Sequence, residues 1–215
     1  MRLIMNPDRF FEELKQRDVK IRIPLLIVLA IAVITSAYQY LLMSKLAQAF
    51  PAELAKFLMI GAYVGIVGSF IGMFAVWVIN AAIMHVISAL FDGKGSFRRT
   101  FEFVGYGFLP SLIGSLITVS ISAYFISQAH IPAIDVGQIQ NKEVMKTLML
   151  SIIPRDLLYS NLMINAAVTV WSLTIWTFAI KHAREIPTKK AFVSALIPTA
   201  VFGLYQIYSV MNLLL

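Results

Sequence analysis

The chain has 215 residues, is 59% hydrophobic and only 13% charged, and its mean hydropathy is +0.80. A water-soluble domain of this length cannot hide so much apolar surface, so composition points to the membrane. Cysteine is absent, which excludes a disulfide framework, thiolate metal sites and a cysteine nucleophile.

The N-terminal segment, residues 1–22, carries its own helix signal. Asn6-Pro7-Asp8 supplies a capping side chain, a proline suited to the first helical position and an acid near the positive end of the helix dipole. Phe10, Phe11, Leu14 and Ile21 fall within about 100° on a helical wheel, opposite Arg9, Glu12, Glu13 and Gln16. The pattern predicts an amphipathic helix on the inner membrane face, ending near Pro24, with Phe10, Phe11 and Leu14 as a membrane or partner surface.

Five apolar stretches follow and make up one membrane domain over 23–215. They are Pro24–Met43, Phe57–Phe91, Phe101–Ser127, Leu162–Ile180 and Ala191–Leu215. Each is long enough for a helix to cross about 30 Å of hydrocarbon, which takes roughly 20 residues. Glu102, at the start of the third, is the only formal charge inside them. Ala47-Gln48-Ala49 resembles a signal cleavage site, but the preceding apolar run exceeds a signal-peptide core, so the first stretch is expected to stay as a span.

Of the eighteen Lys and Arg residues, only Lys45, Lys56, Lys142, Lys146 and Arg155 fall on the side away from the N-terminus. The positive-inside rule then gives N-in, C-out. A net charge of +7 arranged this way suits anionic headgroups at the inner face, Arg98 and Arg99 included, rather than nucleic acid.

The second stretch carries Gly61, Gly65, Gly68 and Gly72 within about 60° of one another. Such a smooth stripe predicts close helix packing inside the chain, with a homodimer contact as the alternative. In the third, Gly107, Ser111, Gly114 and Thr118 form a similar stripe, with Gly114 expected at a helix contact. The loop Gln128–Asn161 contains a predicted helix at Lys142–Ile153, its apolar side resting on the outer membrane surface or forming a lid. In the fourth stretch Asn161, Asn165, Thr169, Ser172 and Trp176 stay within about 80°. Amides and hydroxyls in lipid need partners, so this face is expected to point into the bundle, either bonding between helices or lining a solute site. Pro110 and Pro198 each interrupt a span and predict kinks.

No catalytic constellation is present. HExxH and GxSxG are missing, His85, His130 and His182 are scattered, and Gly93-Lys94-Gly95-Ser96 lacks the spacing of a phosphate loop. Neither enzyme activity nor a cofactor is expected.

Ser96-Phe97-Arg98-Arg99-Thr100 leading into Gly105-Tyr106-Gly107-Phe108-Leu109-Pro110, with the Asn6-Pro7-Asp8 start and the late Lys190-Ala191-Phe192…Ile197-Pro198 segment, resembles the YIP family of Ypt/Rab-interacting membrane proteins, prokaryotic type. Gly105, Tyr106, Gly107, Pro110 and Pro198 carry the likeness. The resemblance implies an all-α bundle of five spans. It also implies a place among proteins that, in eukaryotes, are linked to vesicle traffic, Rab GTPases and membrane shaping. Residues 1–22 precede the first span in this sequence, so a counterpart of the long cytosolic N-terminal region of those members, and Rab binding with it, is not expected. Two functions are expected from this sequence: a non-catalytic scaffold or adaptor for a cytoplasmic partner or for lipids, and, as the alternative, a transporter or channel for a small neutral solute. In a prokaryote its place would be the cell membrane.

Overall fold

The computed structural model describes residues 2–214, so Leu215 of the fifth predicted span lies outside it. The described residues form a short helix α1 (Arg2–Met5), then α2 (Pro7–Lys15), α3 (Arg22–Ala47), α4 (Ala52–Ala89), α5 (Phe97–Tyr106) and α6 (Leu109–Gln128). After a 3-10 turn at Val136–Gln138 come α7 (Lys142–Ile152), α8 (Arg155–Arg184) and α9 (Thr188–Leu214). Five spans are long and apolar enough to cross a membrane: α3, α4, the pair α5–α6, α8 and α9. The protein is an all-helical, multi-pass membrane protein.

The spans close into a ring. α3 packs on α4 and on α6, α6 on α8, α8 on α9, and α9 returns to α4. Two packed cores lie at the ends of this ring. One, on the side of the N-terminus, gathers Phe11, Val28, Trp77, Met84, Phe103 and Ile180; the other, on the far side, gathers Leu46, Ile126, Leu148, Ile152 and Leu157.

α2 starts as its sequence predicts: Asn6 Oδ1 accepts from the Arg9 N–H at 3.1 Å and Pro7 opens the first turn. It ends at Lys15, not near Pro24, which sits in the first turn of α3. Its apolar face is not free. Phe11 is fully buried, with its ring 4.9 Å from Phe103, and Phe10 meets Tyr106 edge-on at 5.4 Å. The expected lipid-facing helix is instead docked on α8, with its rings against Phe103 and Tyr106 of α5, where aromatic pairs add to the burial. The linker behind it is held by Glu102. Its buried carboxylate accepts from the Lys20 N–H at 2.9 Å and from Arg99 Nη1 at 2.8 Å, while Arg99 also donates to the Arg17 carbonyl. The one charge inside the apolar stretches thus has its hydrogen bonds supplied, as a buried charge requires.

Arg184 fixes the turn between α4 and α5. Its guanidinium donates to Ser88 Oγ at 2.9 Å, to the Gly93 carbonyl at 2.5 Å and to the Gly95 carbonyl. Gly95 has φ +98°, and a Cβ there would lie 2.4 Å from the Ala183 carbonyl oxygen, so this turn needs glycine on both counts.

The third span is two helices rather than one kinked helix. The break falls at Gly107–Phe108, and Pro110 sits in the first turn of α6, where its missing N–H costs nothing. Pro198 does lie inside α9, and Thr199 Oγ1 donates to the Ala195 carbonyl at 2.7 Å beside it.

The glycine stripe of α4 is corrected by the structure. Only Gly65 meets another helix, at Gln39 of α3; Gly61, Gly68 and Gly72 have open space where a Cβ would go. Between Ala52 and Trp77 only Ala62 of α4 is buried, so this half of the helix presents these glycines to the outside of the bundle rather than to a neighbouring span. Replacing Gly68 and Gly72 together with leucine is therefore expected to leave the protein at least as stable, since each glycine costs a helix about 1 kcal/mol. Thermal unfolding in detergent checks this, and a clear fall in midpoint would mean that the face is covered in the membrane.

α7 is likewise not merely resting on a surface. Leu148 and Ile152 are buried in the far-side core, with Val144, Met145 and Met149 packed around it. The loop before α7 is tied down by the Ile134 N–H to the Ala49 carbonyl at 2.8 Å.

Candidate functional site

Between the two packed cores the ring encloses a cavity of about 330 Å³. All five spans contribute to its wall: Ile31, Thr35 and Tyr38 from α3, Met73, Val76 and Asn80 from α4, and Thr199, Phe202 and Gln206 from α9. Phe108, Ser111, Gly114, Ser115, Thr118 and Val119 line it from the α5–α6 side, and Asn165, Val168, Thr169, Ser172 and Trp176 from α8.

Local sequence explains both main walls. Asn165, Thr169, Ser172 and Trp176 recur at the spacing of one helix face, as do Ser111, Ser115 and Thr118. The two walls meet at Gly114, where a Cβ would come 2.5 Å from Val168 Cγ2, so the glycine sets their separation. Trp176 closes the end nearer the N-terminus. Its Nε1 donates to the Val104 carbonyl at 2.9 Å, capping the end of α5, and its ring rests where Gly107 has no side chain.

The chemistry of the wall is apolar with scattered uncharged polar groups. Several are occupied by their own helix: Thr35 Oγ1 donates to Ile31 O at 2.9 Å, Ser115 Oγ to Leu112 O at 2.8 Å, and Asn80 Nδ2 to Val76 O at 2.8 Å. Asn165, Thr169 and Gln206 stand in the wall as uncharged polar groups with no such bond among the described residues. The hydroxyls of Ser172, only 2% exposed, and of Thr118 also lack a hydrogen-bond partner, at a cost of about 1–3 kcal/mol each, but these two oxygens are buried within the wall rather than open to the cavity. Among the described residues no Asp, Glu, Lys, Arg or His lines the cavity.

Of the polar stripe read from the sequence, Asn165, Thr169 and Ser172 reach this cavity. Asn161 does not; its Nδ2 lies 3.4 Å from Ser122 Oγ, one turn beyond the wall. Gln206 and Thr35 were not singled out by sequence, although Gln206 is one of few polar side chains in an apolar run. Of the surface residues, Phe11 is buried, Phe10 and Leu14 are half-buried, Arg99 is spent on Glu102, and Arg98 remains exposed.

A second constellation ties α2 to the bundle on the N-terminal side. Asp8 Oδ1 lies 2.6 Å from both Lys181 Nζ and His182 Nε2, and Lys15 Nζ lies 2.7 Å from Glu185. The hydrogen bond from Lys181, helped by the one from His182, holds the Asp8 carboxyl below its ordinary value of 3.8. Stabilisation from this pair is therefore complete above that value and lost as pH falls through the lowered one. The protection factors of the α2 amides are expected to fall as pH drops below about 3.8, and Asp8→Asn is expected to lower them above that value but not well below it. The pair is partly exposed, so the effect is about 1 kcal/mol.

Comparison with known proteins gives a family. The Yip1 domain model matches residues 1–210, so the chain belongs to the Yip1 family. An uncharacterised protein of Methanocaldococcus jannaschii is 38% identical over 121 residues, 56% of this chain and 86% of that protein. No solved structure matches.

Proposed function

We propose that this Yip1-family protein is a non-catalytic membrane protein that holds a small uncharged molecule in the cavity among its five spans, as a carrier or facilitator. The uncharged polar side chains of Asn165, Thr169 and Gln206, half-buried in the wall of a cavity shared by all five spans, carry the reading: a bound group that can hydrogen-bond would meet them. A charged ligand is disfavoured because nothing in the wall can compensate its desolvation. By volume the site suits about a dozen heavy atoms, since a cavity of roughly 150 Å³ takes up benzene.

The scaffold reading keeps one support, the exposed basic side chains Lys94, Arg98 and Lys189 on the N-terminal side. These fit anionic headgroups, consistent with that side facing the cytoplasm of a prokaryotic cell membrane. The aromatic surface that reading would use is the one packed inside the fold.

The test is thermal unfolding of the detergent-purified protein with 1,2-octanediol, octanoate or octylammonium. A ligand bound only by the folded state stabilises it, by about 2.7 kcal/mol at a hundred times its Kd. Octanediol is expected to raise the midpoint of the wild type but not of Ser172→Leu or Asn165→Leu, and the charged probes to leave it unmoved. Equal effects of all three probes, or none from octanediol, would refute the reading.

A further inference from the structure

Along the ring axis the cavity meets Trp176 and Phe108 above the Phe11–Tyr106 aromatic group at one end, and at the other the far-side core around Ile126 and Leu157, which covers the α3, α6 and α8 side. The ring is, however, incomplete on one flank. In α9 the buried positions stop at Thr199, and none of the described side chains beyond it is buried. In α4 only Ala62 is buried between Ala52 and Trp77. The far halves of these neighbours therefore do not seal against each other. Phe202 stands at the gap: it is a cavity wall residue and yet is 50% exposed. It lies about 21 Å along α9 from Thr188, so the gap opens at the depth of the hydrocarbon, which is about 30 Å thick.

Resting on the cavity reading above, we infer that the ligand is a neutral single-chain amphiphile, such as a monoacylglycerol or long-chain alcohol, that enters sideways from the bilayer between α4 and α9. Two observations select that class. The opening faces lipid, so what reaches it must already be dissolved in the membrane. The wall is mainly apolar but presents the uncharged amides and hydroxyl of Asn165, Gln206 and Thr169, which suits an uncharged head with hydroxyl or ester oxygens. The space admits that head and the first part of a chain, with the remainder trailing past Phe202 and Gln206 into lipid. A phospholipid headgroup brings charge that the wall has no counterpart for.

The experiment uses the full chain in nanodiscs carrying a trace of 1-monopalmitoylglycerol with a diazirine on its acyl chain, and in parallel phosphatidylcholine with the same diazirine chain. After irradiation, labelled positions are mapped by mass spectrometry. Monopalmitoylglycerol is expected to label Phe202, Gln206 and the inner wall at Trp176, with excess unlabelled mono-olein lowering that labelling at least five-fold and Ser172→Leu doing the same. Phosphatidylcholine is expected to label only outward-facing positions. If Ser172→Leu fails to fold, the mono-olein competition decides alone. Equal labelling of Trp176 by both lipids would overturn the inference, since it would show general lipid penetration. Absent labelling by monopalmitoylglycerol, with octanediol still stabilising the protein, would overturn the ligand class and the route while leaving the cavity reading standing. Failure of both probes would remove the cavity reading as well.

Discussion

Gly107→Ala is expected to be among the most damaging single substitutions in the chain, lowering stability by about 3 kcal/mol or more. An alanine Cβ would stand 2.1 Å from both Cδ1 and Nε1 of Trp176. The indole cannot retreat cheaply. It is 7% exposed, donates to the Val104 carbonyl and meets Phe108 edge-on at 5.2 Å. Moving it would orphan a carbonyl at the end of α5 and open the cavity at its N-terminal end. Gly105→Ala should act in the same direction, since its Cβ would lie 2.6 Å from Pro24 and 2.8 Å from Trp77. Thermal unfolding in detergent tests both, and a midpoint equal to the wild type would show that Trp176 does not sit as described.

Phe11→Ala is expected to free α2 from the bundle. Its ring is fully buried against Phe10, Phe103 and Tyr106, and removing a buried Phe costs about 3–5 kcal/mol. The polar ties at Asp8 and Lys15 are partly exposed and too weak to hold the helix alone. Residues 7–15 should then exchange amide hydrogens at rates near those of an unprotected helix, while α3–α9 keep their protection. The expectation differs from that of a helix lying on lipid, where truncating the ring would weaken membrane contact and leave the protein core untouched. Unchanged protection of α2 in the variant would favour the lipid-facing arrangement.

Spans and caps were legible in the sequence because they depend on local facts. A run such as Phe57–Phe91 can only be helix in hydrocarbon, and Asn6-Pro7-Asp8 starts a helix wherever it lies. Packing partners were less legible. The face Phe10–Phe11–Leu14 announces that it will be buried, but helical periodicity is the same whether lipid or Tyr106 covers it. The glycines of α4 show the same ambiguity from the other side. A smooth stripe permits close approach without requiring it, and only Gly65 is approached within the chain. The cavity was half legible: α8 showed its polar face, and Ser111 to Thr118 showed the small one opposite. That the two enclose space rather than bond to each other depends on the distance between their axes, which Gly114 against Val168 sets. The polar contributions of Thr35 and Gln206 became visible only once the ring was closed.

The central claim is that the middle of this bundle is a binding site for an uncharged molecule. The most direct measurement is an experimental structure of the full chain in lipid nanodiscs, at a resolution that shows what lies between α6, α8 and α9. Non-protein density within hydrogen-bonding distance of the Asn165 and Thr169 side chains is the result predicted here. A closed seam, with those side chains bonded to neighbouring helices and no space between the walls, would contradict it.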